Sequence, residues 1–375
     1  MIGRYTQINN QPEVSTLTAG LDFRQPQYRR EVFLNFYGYH LKYKAHPGAV
    51  YYAMPYISWA LNYTQEQKLW MAFINGCSQN IVTTKTILDE FPDVTAYNHK
   101  DFNKWFREHY QKLGWDTDRR YVKNKLEQVI EHYITQLDGR TQYEYFEQAM
   151  GTQDPHTNFE NLWQNVMTNF YTFGRLATFS YLEYLRIVGL NLDCNSLFLD
   201  DIDGSKSHRN GLCKVLGRDD LDWYQKGNPN FTGYTTDQID WLKTEGELLL
   251  NDAKAKFKDE PFYNDISYFT LESTLCCYKS WHRPNRRYPN VYNDMFYGRI
   301  MNAEKKWAGQ KDFSIFWDAR KKYLPAKLRL EDNWQDCGLK PEKQNHYLHT
   351  GEVIMMDDEY PYFINQFNQK YYGSN

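Results

Sequence analysis

A short polar run in the middle of the chain carries the side chains best suited to bind an anion. Residues 204–211 read Gly-Ser-Lys-Ser-His-Arg-Asn-Gly, which places hydroxyl, imidazole, amide and guanidinium donors between two glycines. A loop of this kind can turn side-chain donors and backbone N–H groups toward an oxyanion, and a guanidinium adds bidentate bonds to phosphate oxygens. An ordinary polar surface turn is the alternative. The donor density favours an anion site formed by Ser205, Ser207, His208, Arg209 and Asn210.

Three acidic residues stand just before that run. Asp200, Asp201 and Asp203 offer carboxylate oxygens, which suit Mg²⁺ bound partly through substrate phosphates. Acidic clusters at the entrance of a loop more often cap turns. We therefore make Mg²⁺ on Asp201 and Asp203 only a secondary prediction and predict no other cofactor. The sequence has no Walker loop, which indicates that the chain does not itself take phosphate from a nucleotide.

The apolar stretch that starts at Ile266 predicts a helix with a polar stripe. In a helix, Glu272, Cys276, Lys279 and Arg283 fall on one face, at spacings of four, three and four. This pattern places a potential general base beside two cations. A surface stripe of salt bridges has the same spacing, so the pattern leaves both interpretations open.

Positive charge is concentrated toward the end of the sequence. The chain has a formal net charge of −3, yet residues 279–329 contain thirteen Lys or Arg against four Asp or Glu. Clustered cations provide the affinity of proteins for phosphate backbones. The segment is therefore a candidate surface for a nucleic-acid backbone, although the charges alone favour a solvated basic helix face. Its candidates are Arg283, Arg286, Arg287 and Arg299.

The elements that must position these residues are mainly helices. Apolar residues recur at helical spacing over residues 64–77, behind a Thr64-x-x-Gln67 capping box, and over 122–137. A longer helix is predicted from about Asn158 to Val188, and Thr235-x-x-Gln238 opens another. Residues 49–53 and 352–356 predict at most a minor β-hairpin. The fold class is mainly α and multi-helical.

A long segment between two of these helices differs from its flanks. Residues 189–233 concentrate Gly, Asp, Asn and Ser, which is typical of an irregular loop, and a long loop inside a compact chain usually carries function. We expect an N-terminal helical lobe at 1–188. The Gly-rich loop and a C-terminal helical lobe then fill 189–375, or the whole chain forms one continuous domain.

Composition excludes several classes of protein. Hydrophobic residues make up 41% of the chain and charged residues 24%, which excludes disordered and fibrous proteins. The six cysteines include no CxxC pair, so the sequence predicts neither a zinc ribbon nor a disulfide framework. No apolar leader or membrane span is recognisable, which predicts no membrane association and a reducing cytoplasm.

Three sequence blocks resemble one enzyme family. The first consists of residues 40–52 and 66–80, the second of 204–213 and 217–223, and the third of 271–279. In this order the blocks resemble the phage amino acid:DNA transferases, also called α-glutamyl/putrescinyl-thymine pyrophosphorylases. The resemblance spans about residues 28 to 300. It implies a helix-hairpin-helix, DNA-glycosylase-like fold. Gly174-Arg-Leu-Ala177 is faintly similar to the glycosylase hairpin, and a kinked core helix explains this segment at least as well.

The resemblance implies a step in thymidine hypermodification. A 5-hydroxymethyluracil in phage DNA has been pyrophosphorylated, and the enzyme replaces pyrophosphate with a free amino acid, such as glycine, or a polyamine. It also implies base flipping and action in the cytoplasm of the infected bacterial host. A DNA glycosylase-type base excision enzyme and a non-catalytic DNA-binding phage protein are the alternatives.

The resemblance also implies roles for individual residues. Glu272, His208 or His46 would deprotonate the incoming amine, and Arg209 would bind the departing pyrophosphate. Tyr51 and Tyr52 would stack on the base, although both could be core residues, and Asn75 could instead belong to a helix C-cap. His46 could be a structural turn residue. The remaining substrate-binding candidates are Asn75, Gln79, Asn80, Ser205, Ser207, Asn210, Arg218, Asp219 and Lys279.

Overall fold

The computed structural model describes residues 26–222, 233–278 and 291–324, together with Arg329 and Glu331. These residues form α-helices and short 3-10 turns and contain no strand, which confirms the prediction of a mainly helical fold. The α-helices are α1 (Pro26–Lys42), α2 (Val50–Ala60), α3 (Gln65–Ser78), α4 (Ile81–Leu88), α5 (His99–His109), α6 (Leu126–Leu137), α7 (Gln142–Met150), α8 (Pro155–Asn169), α9 (Arg175–Ile187), α10 (Lys206–Val215), α11 (Thr236–Lys256), α12 (Tyr268–Tyr278), α13 (Val291–Trp307) and α14 (Ser314–Tyr323).

The chain folds into two compact units, each built from separate stretches of sequence. Unit 1 comprises Met1–Pro47, Ser196–Gly298 and Lys321–Asn375, as far as these residues are described. Unit 2 comprises Gly48–Asn195 and Arg299–Arg320. The chain passes from unit 2 to unit 1 between Asn195 and Ser196. The lobe boundary expected after residue 188 stays a prediction.

Unit 1 is organised by the close packing of α10 on α12. A Cβ atom added to Gly211 would lie 2.1 Å from the carbonyl oxygen of Leu275, so only glycine allows the two backbones to approach this closely. Leu212, Leu249 and Leu275 have no exposed surface and join a core that also includes α1. Burial of these side chains is the main force that fixes α10 against α12.

Unit 2 is organised around α3, whose aromatic side chains lie in the core. The capping box predicted at the start of α3 is present, with Thr64 accepting from the backbone of Gln67. Phe73 stacks on Tyr133 at a ring-centroid distance of 3.7 Å. Phe170 and Tyr181 close the same aromatic cluster. The high aromatic content of the chain is therefore used largely for packing, as expected from the area that each ring buries.

Three local predictions were wrong. Residues 158–188 form two helices, because Phe170 leaves the helical conformation and Thr172 adopts a left-handed φ of 69°, although both helices keep an apolar face. Residues 206–215 form α10 within the expected loop, since the polar run hides the helical spacing of Leu212 and Val215. Residues 50–53 begin α2, where Val50, Ala53 and Met54 are buried at helical spacing. The second possible strand, 352–356, lies outside the described residues.

Candidate functional site

The packing of α10 on α12 brings together two residues predicted to act in catalysis. His208 Nδ1 lies 2.9 Å from Glu272 Oε1. Both residues are buried, with exposed fractions of 1% for His208 and 7% for Glu272. The anion run and the helix after Ile266 therefore meet in unit 1 through His208 and Glu272.

The second nitrogen of His208 limits how protons are shared in this pair. His208 Nε2 lies 2.7 Å from the carbonyl oxygen of Leu197, which can only accept a hydrogen bond, so Nε2 carries a hydrogen. Nδ1 faces the carboxylate of Glu272, and a proton on Nδ1 would be donated to it. The two side chains thus form a buried imidazole–carboxylate pair, a combination used for proton transfer in enzymes.

Arg209, the predicted pyrophosphate ligand, has a different environment. Its guanidinium is fully buried and donates through Nη1 to the carbonyl oxygen of Asp201 at 3.4 Å and through Nη2 to that of Ile202 at 2.5 Å. It also lies over the ring of Tyr234 at 4.6 Å. In this structure Arg209 holds the turn before α10 and exposes no surface to an anion, which argues against direct contact with the leaving group.

The other polar residues of the run are largely enclosed. Ser205 is the N-terminal cap residue of α10, and its hydroxyl donates to the carbonyl oxygen of Phe198 at 2.5 Å. Ser207 is half-buried. Asn210 is 2% exposed, and neither atom of its side-chain amide has a hydrogen-bond partner. Buried amide atoms without hydrogen-bond partners lower the stability of the fold, so Asn210 remains a predicted substrate ligand.

Arg218 and the acidic residues lie at the two ends of α10. Arg218 forms an ion pair with Asp220 at 2.7 Å, and 39% of its side chain is exposed. Asp219 lies in the 3-10 turn Asp219–Leu221. Asp203 pairs with Lys206 at 2.9 Å, whereas Asp201 accepts from the backbone N–H of Gly204. Within the described ranges, no group of three or more His, Cys, Asp or Glu could hold a metal ion. Mg²⁺ held by Asp201, Asp203 and substrate phosphates stays a prediction.

His46 lies in a buried pocket of polar and aromatic groups in unit 1. Its Nε2 is 3.3 Å from the hydroxyl of Thr274, and its ring meets that of His40 edge-on at 5.5 Å. Burial lowers the pKa of His46 well below its ordinary value, and the charges of His40 and Lys44 lower it further. His46 is therefore a neutral imidazole near pH 7.

The predicted base-binding residues belong to unit 2, and two of them, Tyr51 and Gln79, are partly exposed. The hydroxyl of Tyr51 donates to Glu183 Oε1 at 2.8 Å, and Gln79 Nε2 donates to the hydroxyl of Ser180 at 3.1 Å. Ser180 and Glu183 lie one turn apart on α9. Arg299 donates to Asp116 at 2.6 Å and to the carbonyl oxygen of Gln79 at 3.5 Å. We call Tyr51, Gln79, Ser180 and Glu183 the Glu183 cluster.

The other predicted base-binding residues of unit 2 are buried. Tyr52 has no exposed surface, and Asn75 is buried inside α3, where its amide oxygen accepts from Thr84 at 3.0 Å. Asn80 caps α4 by accepting from the backbone N–H groups of Val82 and Thr83. Packing and capping therefore account for Tyr52 and Asn80, whereas the buried Nδ2 of Asn75 has no hydrogen-bond partner and Asn75 stays a predicted base ligand.

Comparison with known proteins identifies the family. Residues 49–288, more than half of the chain, match the family model described as amino acid:DNA transferase. The chain belongs to this family. The resemblance predicted from the three sequence blocks is thereby confirmed.

A curated relative of this family member is a serinyltransferase from Salmonella phage ViI. The two sequences are 33% identical over 275 residues, which cover 71% of this chain and 66% of the relative. The chain thus spans slightly less than two thirds of that relative's length. No solved structure matches the chain. The predicted likeness to DNA glycosylases therefore stays a prediction.

The predicted DNA-backbone segment of this family member is described only in part. Lys279, Arg283, Arg286 and Arg287 lie outside the described residues. Arg299 is bonded to Asp116, as given above. Lys305 and Lys306 in α13 are exposed, as are Lys321 and Lys322, so phosphates could reach these cations of the segment. Among the described helices, none is long and apolar enough to cross a membrane.

Sequence reasoning missed Glu183. This acid stands in the apolar sequence Phe-Ser-Tyr-Leu-Glu-Tyr-Leu of α9, and only 6% of it is exposed. A carboxylate on an otherwise apolar helical face was the available signal, because such a group is rarely buried without a specific reason.

Proposed function

We propose that this chain transfers an amino acid or a polyamine to DNA by displacing pyrophosphate from 5-(pyrophosphoryloxymethyl)uracil. Membership of the amino acid:DNA transferase family carries this proposal. The name of the ViI relative supports an amino acid as the donor and makes serine the first donor to test. We further propose that the reaction takes place in the cytoplasm of the infected host.

The reaction needs one bond to form and one to break at the 5-methylene carbon of the uracil. The donor nitrogen supplies the electron pair of the new C–N bond, and the C–O bond electrons leave with pyrophosphate. The donor must lose a proton, because an ammonium nitrogen has no lone pair to attack with. A general base near this carbon is therefore required.

Glu272 is our candidate for that base. Its carboxylate is held by His208, whose position is fixed in turn by the carbonyl oxygen of Leu197, so the acceptor oxygen has a defined orientation. A base oriented by a second residue that is oriented by a third is a recurring arrangement in enzymes. We assign His208 a positioning role, since both of its ring nitrogens already have partners.

The leaving group requires donors other than Arg209 in this structure. The described candidates are the partly exposed guanidinium of Arg218 and the amide of Asn210. Lys279 and the cations that follow it stay candidates from the sequence. Stabilising the charge that grows on pyrophosphate in the transition state raises the rate more than binding the ground state does.

Mass spectrometry of nucleosides tests the proposal. The protein is incubated with DNA that contains 5-(pyrophosphoryloxymethyl)uracil, and serine, glycine and putrescine are supplied separately. We expect one donor to give a nucleoside with the mass of its adduct, together with one pyrophosphate released per adduct. Release of the free base would instead indicate a glycosylase. Unchanged nucleosides with all donors, from a protein that binds the DNA, would indicate a non-catalytic role.

A further inference from the structure

The Glu183 cluster has the composition of a site for a neutral heteroaromatic ring. Glu183 supplies a carboxylate that can only accept hydrogen bonds when ionised, and Gln79 supplies an amide that can both donate and accept. Tyr51 adds an aromatic ring beside them. Together they offer an acceptor, a donor and a flat apolar surface within one region of unit 2.

The distribution of burial leaves this cluster within reach of a ligand. Glu183 is buried, whereas Tyr51, Gln79 and Ser180 are each half-buried. The buried carboxylate thus has partly exposed hydrogen-bonding residues beside it. Such a carboxylate is screened less by water than an exposed one, so a hydrogen bond to it discriminates more strongly between ligands.

The charges around the cluster argue against a zwitterionic ligand. An amino acid would need a cation for its carboxylate, and in the part of the chain that the structure describes the neighbouring guanidinium of Arg299 is already bonded to Asp116 at 2.6 Å. A nucleobase needs no such cation. We therefore favour a base over the amine donor as the ligand of this cluster.

We propose that Glu183 recognises the Watson–Crick edge of the target uracil by accepting a hydrogen bond from its N3–H. This inference rests on the proposed function in that a DNA base is the substrate. Uracil presents a donor at N3 between two acceptor oxygens, O4 and O2, and the amide of Gln79 can donate to one of them. Cytosine has an unprotonated N3, whose lone pair faces the carboxylate unfavourably. Glu183 would therefore select uracil-type bases over cytosine-type bases.

Binding measurements without chemistry test this inference. Fluorescence anisotropy measures the Kd of single-stranded oligonucleotides that carry one 5-hydroxymethyluracil or one 5-hydroxymethylcytosine, at about 0.15 M salt to limit non-specific binding. We expect the unmodified protein to prefer 5-hydroxymethyluracil by about 10- to 100-fold, the size of one hydrogen bond to a charged group. Glu183→Ala should abolish the preference, and Glu183→Gln, whose amide oxygen can still accept, should keep part of it.

Controls separate a specific role from a loss of fold. Glu108→Gln changes an exposed acid of the same unit, with 67% of its side chain exposed, and should leave both Kd values unchanged. Thermal unfolding establishes that each variant is folded, and the similar shape of Gln keeps the Glu183→Gln variant informative if Glu183→Ala does not fold. The inference is overturned if the unmodified protein shows no preference. Full preference retained in a folded Glu183→Ala variant would overturn it too. So would a Glu183→Gln variant that binds both oligonucleotides with the Kd values of the unmodified protein and whose Kd does not change when N3 of the uracil is methylated.

The outcome is independent of the transfer reaction, since neither oligonucleotide carries pyrophosphate. If nucleoside analysis shows no adduct, a preference lost in Glu183→Ala still supports base recognition, and the proposed transferase activity alone fails. If an adduct forms but Glu183→Ala keeps the preference, the recognition role of Glu183 fails and the transferase activity stands.

Discussion

Two buried carboxylates, one in each unit, have different hydrogen-bond partners. In unit 1, Glu272 faces the imidazole of His208, which is itself fixed by a backbone carbonyl group. In unit 2, Glu183 accepts a hydrogen bond from the hydroxyl of Tyr51, and an amide and a serine hydroxyl lie nearby. Both acids are less than one tenth exposed, so burial alone does not distinguish them.

The identity of the partner distinguishes them. An imidazole exchanges protons near neutral pH, so a carboxylate beside it is suited to proton transfer. A tyrosine hydroxyl at that pH only donates or accepts hydrogen bonds, so a carboxylate beside it is suited to recognise a donor. The comparison assigns chemistry to Glu272 and recognition to Glu183, and substitutions of the two residues should therefore affect different kinetic constants.

The largest expected effect is that of Glu272→Gln. Loss of a general base typically lowers the rate by about 100- to 10,000-fold. We expect kcat for nucleoside adduct formation to fall within this range while the Kd for DNA stays unchanged, because the amide keeps the shape of the side chain. Single-turnover kinetics on pyrophosphorylated DNA measures the rate. Glu183→Gln should instead act mainly on DNA binding.

Two further variants test whether the loss of kcat is specific to the His208–Glu272 pair. Glu260→Gln changes an exposed acid of unit 1 and should keep full activity. His208→Asn combined with Glu272→Gln should cost little more than Glu272→Gln alone, because residues that act as a unit are not additive. Additive losses would show that the pair does not act as one unit, and near-normal kcat in Glu272→Gln would remove the distinction between the two acids.

The next effect concerns stability and follows from the environment of Arg209. Arg209→Ala leaves the buried carbonyl oxygens of Asp201 and Ile202 without their donor, and we expect the free energy of unfolding to fall by about 2–4 kcal/mol. Urea unfolding measures this loss. Arg218→Ala is the matched control, since its exposed ion pair contributes little to stability. Unchanged stability together with a large loss of kcat in Arg209→Ala would restore the role of pyrophosphate ligand predicted from the sequence.

Much of the fold was predictable because its signals are local. Capping boxes at Thr64 and Thr235 set the starts of α3 and α11 correctly, since a cap depends on residues three positions apart. The helix after Ile266 was also predicted, and with it the position of Glu272. The α8–α9 break was missed because the apolar spacing continues on both sides of Thr172.

The candidate site was only partly predictable, because contacts between distant residues decide it. His208 and Glu272 could be proposed by residue type, but their pairing depends on Gly211, which allows the approach of α10 to α12. The burial of Arg209 against Tyr234 and two carbonyl groups could not be predicted from the residues next to it in the sequence. The carboxylate of Glu183 among apolar residues could be recognised as unusual only by knowing that this face of α9 is buried.

A smaller effect is expected from pH, through His46 in unit 1. The folded-state pKa of His46 is depressed, so below about pH 6.5, the ordinary value, the unfolded chain takes up a proton that the folded chain does not. Stability should therefore be greatest above this pH and fall as the pH decreases, by at most about 1.4 kcal/mol per pH unit for one proton. His46→Gln should show a shallower decrease between about pH 7 and 5 in urea unfolding. An unchanged slope would place the acid sensitivity elsewhere, with the neighbouring His40 as the first alternative.

The smallest expected effect concerns the exposed cations, which neither carboxylate site uses. Lys305 and Lys306 lie on the exposed side of α13, whereas Arg299 on the same helix is held by Asp116. If α13 follows the DNA backbone, Lys305→Gln and Lys306→Gln should each weaken binding of the single-stranded oligonucleotides only severalfold and reduce the log–log salt slope by about 0.7 per lost contact. The preference for 5-hydroxymethyluracil should not change, because phosphate contacts position DNA without reading bases. Anisotropy titrations at several salt concentrations measure both quantities.

An unaltered slope in both variants would remove α13 from the interface and leave Arg283, Arg286 and Arg287 as the predicted backbone contacts. A changed base preference would contradict the assignment of recognition to the Glu183 cluster, since charges on α13 would then contribute to it.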